Sequence, residues 1–196
     1  MRQRLLETAA EQFAQQGLDG ANVDAIALAA GFGKGTVYNY FKGKEDLFAE
    51  VLAEGCRLAV ERYSRVPHEG SVRQRLEALA AADVEVLREE EGFMKVVVRE
   101  AMSFRPETYP LIVDHLAPYV RKVEEILVRG VAAHEIRGDQ PTSQLALAFV
   151  GVLAMLFVQH WGSGGRWPTL DELPRLGVTL FLDGARGKRT PDHTCR

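Results

Sequence analysis

Apolar side chains recur at three- and four-residue spacing along most of the chain, and strand-like alternation is scarce. This periodicity predicts an all-α protein. Leu5, Leu6, Ala9, Ala10 and Phe13 form a first stripe, whose helix should end at Gly17. Asn22 suits the N-cap of a second helix carrying Val23, Ile26, Ala27 and Ala30. Gly31-Phe32-Gly33 should stop that helix, because glycine reaches the left-handed backbone that a helix exit needs. A third, short helix then turns Val37 and Phe41 inward and leaves Lys34, Gly35, Thr36, Tyr38, Asn39 and Tyr40 outward or to the side. A long helix over about 44–63 follows, with Leu47, Phe48, Val51, Leu52 and Leu58 inside. No Pro/Gly-rich linker separates it from the rest, so it should join two domains.

Residues 66–70 break this helix, and Ser71 with Gln74 forms a capping box for the next, which runs to about Glu90. Gly92 restarts a helix with the stripe Phe93, Val97, Ala101 and Phe104, which Arg105-Pro106 should end. Over 109–136, Pro110 fits a first turn, whereas Pro118 should kink or split the helix. The longest apolar run, from Leu145 to Val158, is too short to cross a bilayer and predicts a buried helix. Thr169 and Glu172 form another capping box, with Pro174 expected to distort the first turns of the last helix. Residues 185–196 read as a basic, polar tail expected to fray.

Two short helices joined by a glycine turn, over residues 22–44, make a helix-turn-helix. The second helix of such a motif enters the major groove, with its first residues at base edges and flanking groups on phosphates. Lys34 suits a guanine edge or a phosphate, Asn39 an adenine, and Tyr40 a base or the neighbouring backbone. Backbone amides at Asn22 and Val23 lie at the positive end of their helix and suit a phosphate.

The segment resembles the N-terminal domain of TetR-family transcriptional regulators. The resemblance is carried by Phe13, Gly17, Ile26, Ala27, Ala30, Gly31, Lys34-Gly35-Thr36-Val37-Tyr38, Tyr40-Phe41 and Lys44-Glu45-Asp46-Leu47. It is dense over about residues 4–52, and beyond that it is one of layout. It implies that Thr36, Tyr38 and Lys44 hold phosphates. Gly33 and Gly43 depart from the family pattern, which often has serine there, so any phosphate contact from those hydroxyls is missing. The resemblance implies a helix-turn-helix domain over residues 1–46 and a larger helical ligand-binding and dimerisation domain over 47–184. In the family the last two helices pack against their copy as a four-helix bundle.

Net charge is −3, and residues 1–50 hold five cations, Arg2, Arg4, Lys34, Lys42 and Lys44, against seven acids. Three of the five sit in or just after the second motif helix, so any basic edge is local. Cys56 and Cys195 show no metal-ligand spacing and read as a buried and a solvated thiol. The amphipathic, polar start carries no signal-peptide pattern, and a cytoplasmic location away from membranes is expected. No nucleophile elbow, phosphate-binding glycine loop, paired catalytic acids or metal-ligand pair is recognisable, so neither an enzyme, a metal nor a cofactor is expected.

Family analogy places an effector cavity in the second domain, among Phe93, Val97, Glu100, Phe104, Tyr109, Tyr119, Phe149 and Phe157, with Met94, Met102 and Met155 nearby. Glu100 lies on or beside the apolar stripe, and a buried carboxylate needs an internal partner or a cationic or hydroxylated ligand. The combined expectation is a ligand-responsive DNA-binding regulator. It would be a homodimeric repressor on a near-palindromic duplex, released by a small apolar or aromatic molecule. The alternative is a helical small-molecule-binding or scaffolding protein with a vestigial helix-turn-helix.

Overall fold

The computed structural model describes residues 1–63 and 66–183. Among them it has helices and no strand: α1 Arg2–Gly20, α2 Val23–Ala29, α3 Lys34–Tyr38, α4 Lys44–Tyr63, α5 Val72–Glu89, α6 Glu91–Ser103, α7 Tyr109–Ala132, α8 Thr142–Gly162 and α9 Leu173–Asp183. The tail expected to fray lies outside the described residues, as does Cys195.

Two apolar clusters organise the helices. The first gathers Leu5, Phe13, Ile26, Val37, Phe48 and Leu52 from α1–α4 with Phe41 from the turn before α4, and takes in Phe93, Val96 and Val97 from α6. The second gathers Ala59 and Tyr63 from the end of α4 with α5, α7, α8 and α9 around Leu79, Val123, Leu127, Phe149 and Leu153. Helix α4 therefore serves both. Its crossing with α6 is tight: a β-carbon on Gly55 would fall 2.7 Å from Val97 Cγ2 and 3.2 Å from the Phe93 carbonyl oxygen.

Capping signals became structure where they were local. Ser71 and Gln74 close their box at the start of α5. Glu172 accepts from the Thr169 amide and hydroxyl at 3.1 and 2.8 Å, but this turn stays separate and α9 begins at Leu173. Pro174 then falls in the first turn, where its missing N–H is harmless. Pro118 does not split α7, which is one helix from Tyr109 to Ala132.

Helix α8 corrects the expectation of a buried helix. Ala146, Phe149, Leu153, Leu156 and Phe157 are buried, whereas Leu147 is 60% and Met155 48% exposed, with Gly151 and Val158 on the same uncovered side. Packing against α7 and α9 covers one face only. By length and composition α8 is also apolar enough to cross a membrane.

Because no slack exists at the α4–α6 crossing, Gly55→Ala should cost about 1–3 kcal/mol of stability through overpacking. Thermal melts would check this, and an unchanged melting temperature would mean the helices are not in contact as described.

Candidate nucleic-acid interface and internal cavity

Asn22 caps α2, its Oδ1 accepting from the Asp24 amide at 2.8 Å and the Ala25 amide at 3.4 Å. That leaves the Asn22 and Val23 amides outside the cap, while the Val23 side chain is buried. At the other end Gly31 takes φ 80°. The Phe32 amide donates to the Ala27 carbonyl and the Gly31 amide to Leu28, at 2.9 and 3.0 Å. This is a Schellman exit, and it aims the chain into α3.

Val37 and Phe41 are buried, which fixes the rotation of α3. Lys34, Gly35, Tyr38, Asn39 and Tyr40 are exposed and Thr36 half-buried, so these side chains lie on or beside the solvent face. A β-carbon on Gly35 would meet nothing within 4 Å. Glycine inside a helix costs about 1 kcal/mol relative to alanine. No packing within the chain explains it, and it leaves α3 bare to a close external surface.

Two of the three lysines of this face, Lys34 and Lys44, are already engaged. Lys34 pairs with Asp24 at 2.9 Å, and that carboxylate holds its ammonium above the usual lysine range. Lys44 donates to the Asp19 and Ala21 carbonyls, each at 3.3 Å, and so ties α4 to the end of α1.

Deeper in the molecule a cavity of about 70 Å³ lies between α4, α5, α6, α7 and α8. Ala59, Val97, Val98, Leu116, Leu153 and Phe157 give it mostly apolar walls. The exception is Asp83 of α5, which is 3% exposed. Its Oδ1 accepts from the Tyr63 hydroxyl and its Oδ2 from the Tyr119 hydroxyl at 3.0 Å. The two tyrosine rings stack with centroids 4.3 Å apart. Burial pushes the Asp83 carboxyl up to about 8, against the Tyr119 hydrogen bond that lowers it.

Of the residues expected at an effector cavity, Val97, Tyr119 and Phe157 line this one. Phe93 and Phe149 are fully packed in the two apolar clusters instead. Phe104 leaves the α6 stripe because it ends the helix with φ 54°, and it is 72% exposed beside the half-exposed Tyr109. Glu100 is buried but satisfied internally, accepting from Thr108 Oγ1 at 2.7 Å and Ser103 Oγ at 3.2 Å.

Sequence reasoning missed Asp83. Its signal was available, since Leu79, Ala80, Asp83, Val86 and Leu87 share one helical face. Cys56 is buried and its thiol is pushed up to about 12, which leaves it unreactive.

On the outer side of α6 a groove of about 530 Å³ is lined by Ala14, Lys95, Val98, Arg99, Met102 and Trp161, among others. Val98 borders both groove and cavity. Arg99 donates to the Ala14 carbonyl at 3.2 Å, and Arg105 pairs with Asp19 at 2.7 Å, so α6 and the turn after it are fastened to α1.

Two family models match the chain. Bacterial regulatory proteins of the tetR family match over residues 5–51, and a tetracyclin repressor-like C-terminal domain over residues 69–183. The chain is 30% identical to the HTH-type transcriptional repressor KstR2 of Mycolicibacterium smegmatis, over 84% of this chain and 80% of that protein. In fold it is similar to the transcriptional regulator FadR from Bacillus subtilis, solved in complex with stearoyl-CoA. There the TM-score is 0.83 at 21% identity, covering 95% of this chain and 100% of that one. It is likewise similar to AibR in complex with isovaleryl coenzyme A and operator DNA. That match has a TM-score of 0.75 at 22% identity, covering 91% and 96%.

Asp83 makes stability depend on pH. Its folded carboxyl titrates near 8 against an ordinary value of 3.8. The stability it contributes is therefore full below about pH 4 and lost as pH rises through about 8. The melting temperature should fall from pH 6 to pH 9 relative to Asp83→Asn, whose amide cannot ionise. Parallel melts across that range would refute the buried acid.

Proposed function

The chain belongs to the TetR family of bacterial regulatory proteins, and from that premise we propose how it reads DNA and what releases it. It is a ligand-responsive DNA-binding repressor in which α3 enters the major groove of a near-palindromic operator. Asn39 and Lys34 meet base edges, with Tyr40 beside them. Thr36, Tyr38, Lys44 and the amides of Asn22 and Val23 hold phosphates, and Gly35 lets the α3 backbone come close. The uncovered faces of α8 and α9 meet a second copy, which sets two α3 helices against successive grooves in the cytoplasm.

The effector in this reading is an acyl thioester of coenzyme A. One observation carries it: a groove with two cations, Lys95 and Arg99, adjoins an apolar cavity across Val98. Phosphates suit the first and an acyl group the second. The complexes of FadR with stearoyl-CoA and AibR with isovaleryl coenzyme A support the class, since that frame admits such ligands. A cavity of about 70 Å³ is far below the roughly 300–1,000 Å³ of a typical ligand site, so α6, α7 and α8 must part on uptake. The tight Gly55 crossing then carries the displacement of α6 to α4, and Arg99 carries it to α1.

The test is anisotropy of an operator selected from random duplexes, titrated with acyl-CoAs of increasing chain length. At least one should weaken binding about 5- to 150-fold, and free coenzyme A should not. A shallow salt dependence on random DNA would instead favour a binding protein with a vestigial motif.

Substitutions at Gly35, Asn39 and Lys44 separate roles within α3 and its flanks. Gly35→Ala should raise stability by about 0.4–1 kcal/mol, while Gly35→Leu should lower operator affinity by tenfold or more; unchanged binding would remove α3 from the interface. Asn39→Ala should cost about 1–3 kcal/mol on the operator and little on random DNA. Lys44→Ala should weaken all DNA alike, and it should also lower the melting temperature because it frees the Asp19 and Ala21 carbonyls. Equal losses on both DNAs for Asn39→Ala would assign it to phosphate.

A further inference from the structure

Residues 1–50 carry fewer cations than acids, so the cations left uncommitted decide what this part of the chain can offer a phosphate. Of its five, Arg2 pairs with Glu50, Lys34 pairs with Asp24, and Lys44 donates to the Asp19 and Ala21 carbonyls. Among the described residues, the side chains of Arg4 and Lys42 have neither an ion pair nor a hydrogen bond. Both are exposed. They differ in one respect: the Arg4 guanidinium is set over the Phe32 ring, 6.0 Å from its centroid, whereas no ring holds the Lys42 ammonium.

The first turn of α1 lies along α3. The Tyr40 hydroxyl donates to the Met1 sulfur at 3.5 Å, and the Arg2 guanidinium stands 5.6 Å over the Phe41 ring. Arg4 reaches the other end, at the turn between α2 and α3. Phe32 stands there between Gly31 and Gly33, and Gly33 is the N-cap of α3. A β-carbon on Gly31 would lie 3.7 Å from Arg4 Nη2, and one on Gly33 would meet nothing within 4 Å. The corner where α3 starts is thus open at Gly33 and has a guanidinium beside it. Lys34, next in the chain, is drawn back to Asp24 of α2.

We infer that Arg4 of α1 is a further DNA contact, holding a backbone phosphate beside the start of α3. The inference rests on the reading of α3 as the groove helix, and it extends the interface to a helix that reading leaves out. A phosphate fits this group better than a base edge. The major groove, about 12 Å wide, admits one helix, so a side chain arriving from beside α3 meets the phosphate wall of the groove. A guanidinium presents paired N–H donors that match phosphate oxygens. Held over a ring by one face, it keeps those edge donors for an anion. The ring also orients it, so less freedom is lost on contact.

The experiment is anisotropy of the full-length protein with the selected operator and with a random duplex, at several salt concentrations. Arg4→Met keeps an apolar side chain over Phe32 and removes the charge. It should weaken both duplexes in the same proportion, by about threefold or more, and reduce the salt slope by roughly one. Arg4→Lys should recover most of that slope. Arg137→Met removes a cation from the turn between α7 and α8, and should leave affinity and slope at wild-type values. Melts run in parallel; should Arg4→Met melt early, Arg4→Gln against Arg4→Lys carries the same test. A wild-type slope in Arg4→Met overturns the inference, as does an equal loss in Arg137→Met. Loss on the operator alone also overturns it, because Arg4 then reads a base. If Gly35→Leu weakens binding while Arg4→Met does not, only Arg4 leaves the interface and the α3 reading stands. If the wild type binds neither duplex, that reading falls and the inference falls with it.

Discussion

Helix α4 has to satisfy two apolar clusters with one rigid rod. Its first half, from Leu47 to Cys56, fills the core beneath the helix-turn-helix, and Ala59 and Tyr63 fill the core of the larger helical part. Gly55 sits near the end of the first half, tight against Val97 and Phe93 of α6. Close-packed interiors transmit displacement because they cannot compress. Any shift of α6 is thus passed on to α4 at Gly55 and, through Arg99 and Arg105, to α1. Coupling between distant sites is worth only about 1–3 kcal/mol in typical cases, so a small displacement suffices.

The same economy marks the outer face of the helix-turn-helix. Two of its lysines already have partners. Lys34 is held by Asp24 and Lys44 by two carbonyls at the end of α1. Exposed ion pairs such as Lys34–Asp24 are weak and screened, so in the proposed interface DNA would compete for the ammonium at little cost. Lys44 is different, because its contacts also position α4. On the proposed reading, affinity and architecture are tied together at that residue.

Much of this fold was legible because helix boundaries are written in local chemistry. Asn22, Gly31, Ser71 and Gln74 act through bonds to neighbours a few residues away, and periodicity alone can find them. The long α4 was legible for the same reason. Interior sites were less so, since they depend on which helices meet. Glu100 and Asp83 lie on comparable apolar stripes, yet Glu100 is satisfied by Thr108 after the turn and Asp83 reaches the cavity. Nothing in the spacing distinguishes them. Phe104 was lost to a left-handed helix end that only the following turn explains. Which side of α8 stays uncovered depends on how α7 and α9 pack against it.

Pro118 gives the molecule a soft joint. It stands in α7 between Ile112, which belongs to the first apolar cluster, and Tyr119, which belongs to the second. Proline supplies no amide hydrogen to the carbonyl one turn back, so the helix lacks a rung of its ladder at that point. Elsewhere α7 resists bending with an unbroken set of bonds. The compliance of the rod is therefore concentrated one residue from the tyrosine that bonds Asp83. Strain introduced at that hydroxyl would meet the helix beside its one missing rung.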